Sequence, residues 1–134
     1  MLILLKRMEE IKVDRLVEQL QAVAQKKAQR DLKGTWFQGS QTYLDALVDE
    51  VFEVKTELQL SRKCFLEDEL ADLLWNIVCL LEHLELEGKV EQKQVFHRAL
   101  KKYSERVTER LPYETWNDVK ARQKLELEKE YGKQ

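Results

Sequence analysis

Acidic residues recur on a helical period within a strongly apolar part of this chain. Glu50 and Glu53 form one pair, and Glu69 and Asp72 form a second pair with the same three-residue spacing. Residues three apart lie one turn apart on the same face of an α-helix. The second pair lies within a run of large apolar side chains: Leu70, Leu73, Leu74, Trp75, Ile77, Val78, Leu80 and Leu81. A helix this apolar is expected to be buried, and burying neighbouring carboxylates is unfavourable unless a cation or a basic partner compensates.

Residues that break helices are scarce, because the 134 residues include one proline and four glycines. Leu, Glu, Lys, Gln and Ala, which favour helix, are abundant. We therefore predict an all-α protein, a four- to five-helix bundle forming a single domain over residues 1–134, with its core at about 14–120. The predicted helices are 14–31, 42–60, 65–87, 91–110 and 115–131, and Gly88 is expected to end the third.

The connection between the second and third helices, Gln59–Lys63, is short and polar. A short connection makes consecutive helices antiparallel neighbours. The acidic faces of these two central helices are therefore expected to meet, which would bring four carboxylates around one point.

A cluster of carboxylates without Cys or His favours Mg²⁺ or Mn²⁺ over zinc or copper. The structural alternative is that the acids are paired with basic residues, for which Arg106 and Arg110 are the candidates. Ferritin-like di-iron bundles use a Glu-x-x-His motif, but neither His83 nor His97 has a Glu three positions before it. We expect His83 to be an ordinary hydrogen-bonded helix histidine rather than a ligand.

Two large aromatic residues, Trp36 and Phe37, lie in a loop between Gly34 and Gly39. Such side chains are unusual in a solvated loop. Two interpretations remain open: the loop packs on the core through its rings, or one ring stacks on a ligand.

Charge and cysteine content exclude several classes of protein. With 23 basic and 25 acidic residues the net charge is −2, so the chain lacks the excess of basic residues that is typical of nucleic-acid-binding proteins. The apolar start, Leu2–Leu5, is too short for a signal peptide or a membrane span. Cys64 and Cys79 lack metal-ligand spacing and are predicted to be reduced core thiols of a cytoplasmic protein.

The acidic motif resembles the signature of MazG-type nucleoside triphosphate pyrophosphohydrolases, which belong to the all-α NTP pyrophosphatase superfamily. The match is Glu50-x-x-Glu53, fifteen residues, then Glu69-x-x-Asp72. The run ELADLLWNIV is similar to the family's third helix, and the likeness covers roughly residues 32–120. Further residues that resemble family positions are Trp36, Gln41, Thr42, Arg106, Arg110, Pro112, Trp116 and Lys120.

The chain departs from the family pattern in three places, one of which is a shortened aromatic turn after Pro112. Asp49 stands where the family often has a first Glu, and Arg106 takes a position that is usually Lys. These departures leave the metal motif intact and leave the choice of nucleotide open.

The resemblance implies Mg²⁺-dependent hydrolysis of (deoxy)nucleoside triphosphates to a monophosphate and pyrophosphate, with Mn²⁺ as an alternative ion. Glu50, Glu53, Glu69 and Asp72 would hold the metal, and Glu53 would be the carboxylate nearest the attacking water. The predicted substrate contacts are Trp36, Gln41, Asn76, Arg106 and Arg110. Members of this family assemble as dimers or dimers of dimers, so a homodimer or homotetramer is expected.

Two alternatives accompany this interpretation. Relatives that share the metal pattern include specialised dUTP and dCTP pyrophosphatases. A helical interaction module without catalysis would instead use the acids structurally and would not depend on Mg²⁺.

Overall fold

All regular structure in residues 11–133, the part of the chain that the computed structural model describes, is helical. The prediction of an all-α fold is therefore confirmed. The α-helices are α1 Val13–Asp31, α2 Gln41–Leu58, α3 Lys63–Leu86, α4 Gln92–Tyr103 and α5 Trp116–Gly132. None of the helices in this range combines the length and the apolarity needed to cross a bilayer.

The chain divides into two compact units, Met1–Val90 and Glu91–Gln134. The first unit contains α1, α2 and α3, and the second contains α4 and α5. The single domain predicted over the whole length stays a prediction.

In the first unit α3 packs against both α1 and α2. The small residues Ala24 and Ala28 of α1 are fully buried, which allows close approach of the helix backbone. The core cluster consists of Ala24, Tyr43, Val78 and Cys79, flanked by Leu20, Phe37, Trp75 and Leu80. Cys79 is buried as predicted, whereas Cys64 is exposed near the start of α3, so the prediction of a core thiol was wrong there.

The central helices α2 and α3 are antiparallel, as the short connection between them predicts. The hydroxyl of Ser40, which precedes α2, donates a 2.8 Å hydrogen bond to Oε1 of Glu87, which follows α3. The start of one helix therefore lies beside the end of the other.

Gly88 ends α3 in a Schellman motif, as expected from its position. Its φ of +72° lies in the left-handed region, which glycine adopts without a Cβ clash. The amides of Gly88 and Lys89 donate to the carbonyls of Glu85 and Leu84, both at 2.9 Å. Two otherwise unpaired carbonyls at the helix end are thereby satisfied.

The second unit departs from the predicted continuous helix 91–110. The α-helix ends at Tyr103, and a π-helical segment, Ser104–Thr108, follows it. The amide of Glu109 reaches back five residues to donate to the carbonyl of Ser104 at 2.8 Å. The wider turn lies where Arg106 is buried, with 7% of its surface exposed.

The last helix, α5, begins with a capping box. The amide of Asp118 donates to Oγ1 of Thr115 at 3.1 Å, and the amide of Thr115 donates to Oδ2 of Asp118 at 2.9 Å. This cap fixes the start of α5 at Trp116, one residue after the predicted start.

Candidate metal centre and adjoining pocket

Three carboxylates converge in the first unit. Glu50 from α2 and Glu69 and Asp72 from α3 each offer an oxygen, and these oxygens lie within 4.8 Å of one another. All three residues are partly buried. The convergence follows from the sequence, because three-residue spacing places Glu69 and Asp72 on one face and the antiparallel packing turns α2 toward that face.

The cluster is electrostatically unfavourable without a cation. Burial raises the pKa of Glu50, and the charges of Asp72 and Glu69 raise it further. Burial likewise raises the pKa of Glu69, and the charge of Asp72 adds to this effect. No Lys or Arg in the described part of the first unit forms an ion pair with these three acids, so local salt bridges do not explain them.

One oxygen of the cluster lacks a hydrogen bond. Oε2 of Glu50 is buried, and no described residue donates to it. A buried carboxylate oxygen without a donor is costly, and such groups are normally paired or bound to a metal. Three hard oxygen ligands around a common point fit a divalent ion such as Mg²⁺, which completes its shell with water and phosphate oxygens. The residues present therefore suit the predicted metal.

Two further acids of α2 have different surroundings. Glu53 is exposed and lies outside the group of three, yet its charge contributes to the raised pKa values of Glu50 and Glu69. Glu57, which follows Glu53 by four residues on α2, is buried and accepts hydrogen bonds from Arg62. On α2, Glu50 therefore belongs to the candidate metal site, whereas Glu57 forms a structural ion pair with Arg62.

A cavity of about 680 Å³ adjoins the cluster. Its lining connects the acids to the aromatic loop, since Glu50 and Trp36 both contribute to its wall. Trp36 is 53% exposed, whereas Phe37 packs against the core. The packing interpretation is therefore correct for Phe37, while the exposed ring of Trp36 is accessible to a ligand and its stacking role stays a prediction. Other residues that line the cavity are Lys27, Arg30, Trp75 and Asn76.

The remaining residues predicted to contact the substrate lie in different parts of the structure. Asn76 lines the cavity, and its Nδ2 donates to the carbonyl of Asp72 at 2.8 Å. Gln41 is exposed at the first position of α2 and donates to Asp45 at 3.1 Å. Arg106 and Arg110 belong to the second unit.

The two arginines also differ from each other. Nε of Arg106 donates to Oε1 of Gln123 at 2.8 Å, and its guanidinium lies 5.3 Å and 5.4 Å from the ring centres of Tyr103 and Trp116. Arg110 is exposed after the π-helical segment.

The sequence did not predict a buried polar network whose members Lys27, Asp31 and Tyr43 line the same cavity. Asp31, which ends α1, accepts hydrogen bonds from Lys27, Tyr43 and His83. The spacing of Lys27 and Asp31, four apart on one helix, was a visible signal, but the contacts from Tyr43 and His83 depend on the fold. His83 is hydrogen-bonded, as expected.

The fold and the site define an all-helical protein with an acidic centre beside a pocket. The family model of the MazG nucleotide pyrophosphohydrolase domain matches residues 38–111, which is more than half of the chain. The chain therefore belongs to this family, and the resemblance drawn from its motifs is confirmed. The matched range contains Glu50, Glu69 and Asp72. The same comparisons find no match to a curated protein or to a solved structure.

Proposed function

We propose that this protein hydrolyses (deoxy)nucleoside triphosphates between the α and β phosphates, releasing a nucleoside monophosphate and pyrophosphate. The observation that carries the proposal is the group of Glu50, Glu69 and Asp72, each of which offers an oxygen within 4.8 Å of the others, and Glu50 also has a buried oxygen without a donor. This group lies in the segment that matches the family of nucleotide pyrophosphohydrolase domains.

Glu50, Glu69 and Asp72 would hold Mg²⁺, with Mn²⁺ as the alternative ion, and Glu53 would complete the acidic set. When bound, the ion polarises phosphate oxygens and lowers the pKa of a bound water. Glu53 is exposed beside the cluster and free to approach a water. We therefore propose that its carboxylate accepts the proton of the attacking water. Water then attacks the α-phosphorus, the bond to the β-phosphate oxygen breaks, and pyrophosphate leaves.

The cavity supports an orientation for the nucleotide. Phosphates would lie near Glu50, and the base would extend toward Trp36, whose exposed ring provides a stacking surface. Asn76 lies along the same wall, and its amide has hydrogen-bonding capacity beyond the bond to Asp72, so it is proposed to contact the sugar or a phosphate. Gln41 is proposed as a peripheral contact.

Arg106 and Arg110 are proposed to bind the leaving phosphates, from the same chain or from a neighbouring subunit. Arg110 is exposed and suits this role, because its guanidinium can pair with phosphate in bidentate fashion. Arg106 is buried and bonded to Gln123, so its contribution requires a change in its surroundings.

We propose that the protein acts as a homodimer or homotetramer in the cytoplasm. Large apolar side chains of the two central helices remain exposed in the single chain, which favours self-association. These side chains are Leu44, Val48, Val51, Phe52, Leu70, Leu74 and Ile77. Both cysteines are free, which suits a reducing compartment.

The reaction is tested by measuring pyrophosphate and monophosphate release from a panel of ribo- and deoxynucleoside triphosphates, with Mg²⁺ and with EDTA. We expect release that depends on the metal, and the panel ranks the bases, including dUTP and dCTP. The variant Asp72→Asn should abolish turnover and keep the helix content of the wild type.

The matched control is Glu67→Gln, which neutralises an exposed acid of the same helix outside the cluster. It should retain wild-type turnover. Full activity of Asp72→Asn would contradict the assignment of the site. A folded protein that releases no pyrophosphate with Mg²⁺ or Mn²⁺ would instead favour the helical interaction module.

A further inference from the structure

The carboxylate of Asp31 is the centre of a buried hydrogen-bond network, and only 5% of the residue is exposed. Nζ of Lys27 donates to Oδ1, while Oη of Tyr43 donates to Oδ2. Nε2 of His83 donates to the same Oδ2 at 2.8 Å, and Lys27 also donates to Oη of Tyr43 at 3.2 Å. Both oxygens are thus bonded, and Lys27, Asp31 and Tyr43 close a ring of contacts whose members fix one another.

Both aromatic side chains of the Gly34–Gly39 loop rest on this network. The ring of Trp36 meets Tyr43 edge to face, with centres 5.2 Å apart and planes at 80°. Nζ of Lys27 lies 4.6 Å from the centre of the Trp36 ring, within the range of a cation–π contact. Phe37 stacks on His83 with centres 3.9 Å apart and planes at 18°.

The contacts leave Trp36 held but accessible. Lys27 and Tyr43 occupy part of its surface, yet 53% of the residue remains exposed and it lines the cavity that also contains Glu50. A ring held in one orientation loses less conformational entropy when a ligand stacks on it than a freely rotating ring does. Preorganisation of this kind strengthens binding without adding a contact to the ligand.

We propose that the Lys27–Asp31 pair, held by Tyr43 and His83, is a positioning device that holds Trp36 in the orientation required to stack on the base of the bound nucleotide. Neither Lys27 nor Asp31 takes part in the chemical step. This inference rests on the proposed function for the identity of the ligand, whereas the positioning of Trp36 is a property of the free protein.

The pair is suited to this role because of its charge. An ammonium group that is only partly exposed needs a fixed anion, and Asp31 supplies one at a spacing of four residues on the same helix. Neutralising Asp31 removes the anion that places Lys27 over Trp36, and it weakens the acceptor that orients the hydroxyl of Tyr43. The loop ring then rotates more freely while the acidic cluster stays unchanged.

The test is a double-mutant cycle on the full chain with the best triphosphate of the panel. Asp31→Asn should raise KM about tenfold, a size typical of base–aromatic stacking, and leave kcat within about twofold. In a Trp36→Ala background the same substitution should change KM by less than about twofold, because the ring it positions is gone. The control Asp14→Asn, at an exposed acid of the same helix, should behave as wild type.

A merely structural role predicts a different pattern. Partial unfolding lowers kcat through the fraction of active enzyme and leaves KM unchanged. Additive effects of the two substitutions on KM, or an unchanged KM in Asp31→Asn, would overturn the proposal. If Asp31→Asn does not fold, Lys27→Met takes its place in the same double-mutant cycle on KM, and the same outcomes support or overturn the proposal. Lys26→Met, at an exposed position, is the control.

A second readout needs no turnover. The emission of Trp36, taken as the difference between each protein and its Trp36→Phe counterpart, should shift to the red and lose anisotropy in Asp31→Asn. If the wild type hydrolyses no triphosphate, the proposed function fails, and this emission alone decides the inference. A shift supports the positioning of Trp36, and unchanged emission overturns it.

Discussion

Asp31 and His83 are 52 positions apart in the chain, and their side chains meet at 2.8 Å between Oδ2 and Nε2. This contact joins the last residue of α1 to the last turn of α3. Asp31 and His83 are both buried, so we expect the charge state of Asp31 to affect the stability of the first unit.

The first prediction concerns stability in acid. Burial opposes ionisation of Asp31, but the hydrogen bonds from Lys27, Tyr43 and His83 outweigh it, and the pKa of Asp31 lies below its ordinary value. A lowered folded-state pKa stabilises the fold above the unfolded value of about 3.9, and this stabilisation is lost as the pH falls through the folded pKa. Between about pH 6 and pH 3, the free energy of unfolding measured in urea should therefore fall more steeply for the wild type than for Asp31→Asn.

Asp14→Asn removes an exposed carboxylate of the same helix and serves as the control. Its stability should follow the wild type across the whole pH range. Parallel curves for the wild type and Asp31→Asn would mean that the network contributes no proton-linked stability.

The second prediction concerns the metal-free protein. Burial raises the pKa values of Glu50 and Glu69, and the charge of Asp72 raises both further, so the three acids repel one another in the absence of a cation. Asp72→Asn should therefore raise Tm in EDTA by about 2 °C, although it abolishes turnover. Addition of Mg²⁺ should stabilise the wild type, by about 1.4 kcal/mol at tenfold excess over Kd, and should not stabilise the variant.

Glu67→Gln should leave both measurements as in the wild type, since this acid lies outside the cluster. Thermal unfolding followed by circular dichroism provides the comparison. A lower Tm of Asp72→Asn in EDTA would indicate that Asp72 stabilises the fold, contrary to the metal-site interpretation.

The third prediction separates the two arginines. Arg106 is 7% exposed, donates to Gln123 and lies close to the rings of Tyr103 and Trp116, so Arg106→Met should destabilise the second unit by about 2 kcal/mol. Arg110→Met changes an exposed side chain and should leave Tm unchanged. If Arg110 binds phosphate, this variant should raise KM for every triphosphate by a similar factor. Unchanged kinetics in Arg110→Met would remove Arg110 from the site.

The fourth prediction concerns self-association. Val48 is 56% exposed and Leu74 is 47% exposed, and both belong to the apolar surface of the central helices. Val48→Glu should shift the protein toward the monomer in light scattering at micromolar concentration, because a charge in an apolar interface loses its hydration. Gln25→Glu adds the same charge at an exposed polar position of α1 and should not change the mass. A wild-type monomer would contradict the proposed assembly.

Much of the fold could be predicted because its signals are local. The predicted helices begin and end within two residues of the observed ones, except at the end of the fourth, and the glycine at position 88 correctly predicted the end of α3. The meeting of Glu50 with Glu69 and Asp72 could also be predicted, because it requires only two helical faces and a short connection. Each step uses residues close in sequence.

The rest depends on contacts that no local pattern encodes. The acceptors and donors around Asp31 come from three helices, so their pairing exists only after α1, α2 and α3 have packed. The pairing of Glu57 with Arg62 could not be predicted, because the regular spacing of the acids on α2 does not distinguish Glu57 from the others. Helical periodicity assigns a face to a residue, but it does not identify which neighbour will neutralise its charge.

The π-helical segment Ser104–Thr108 has a consequence for how sequences of this kind can be aligned and edited. A π turn accommodates one more residue than the α turn it replaces. Deleting a single residue there would restore regular α winding, and the residues downstream would keep nearly the same orientation about the helix axis, because the π turn and the α turn each complete about one revolution. Length variation of one residue at this point is therefore absorbed within the turn, and a gap placed there in an alignment marks a change in the width of the turn rather than a change of helix face.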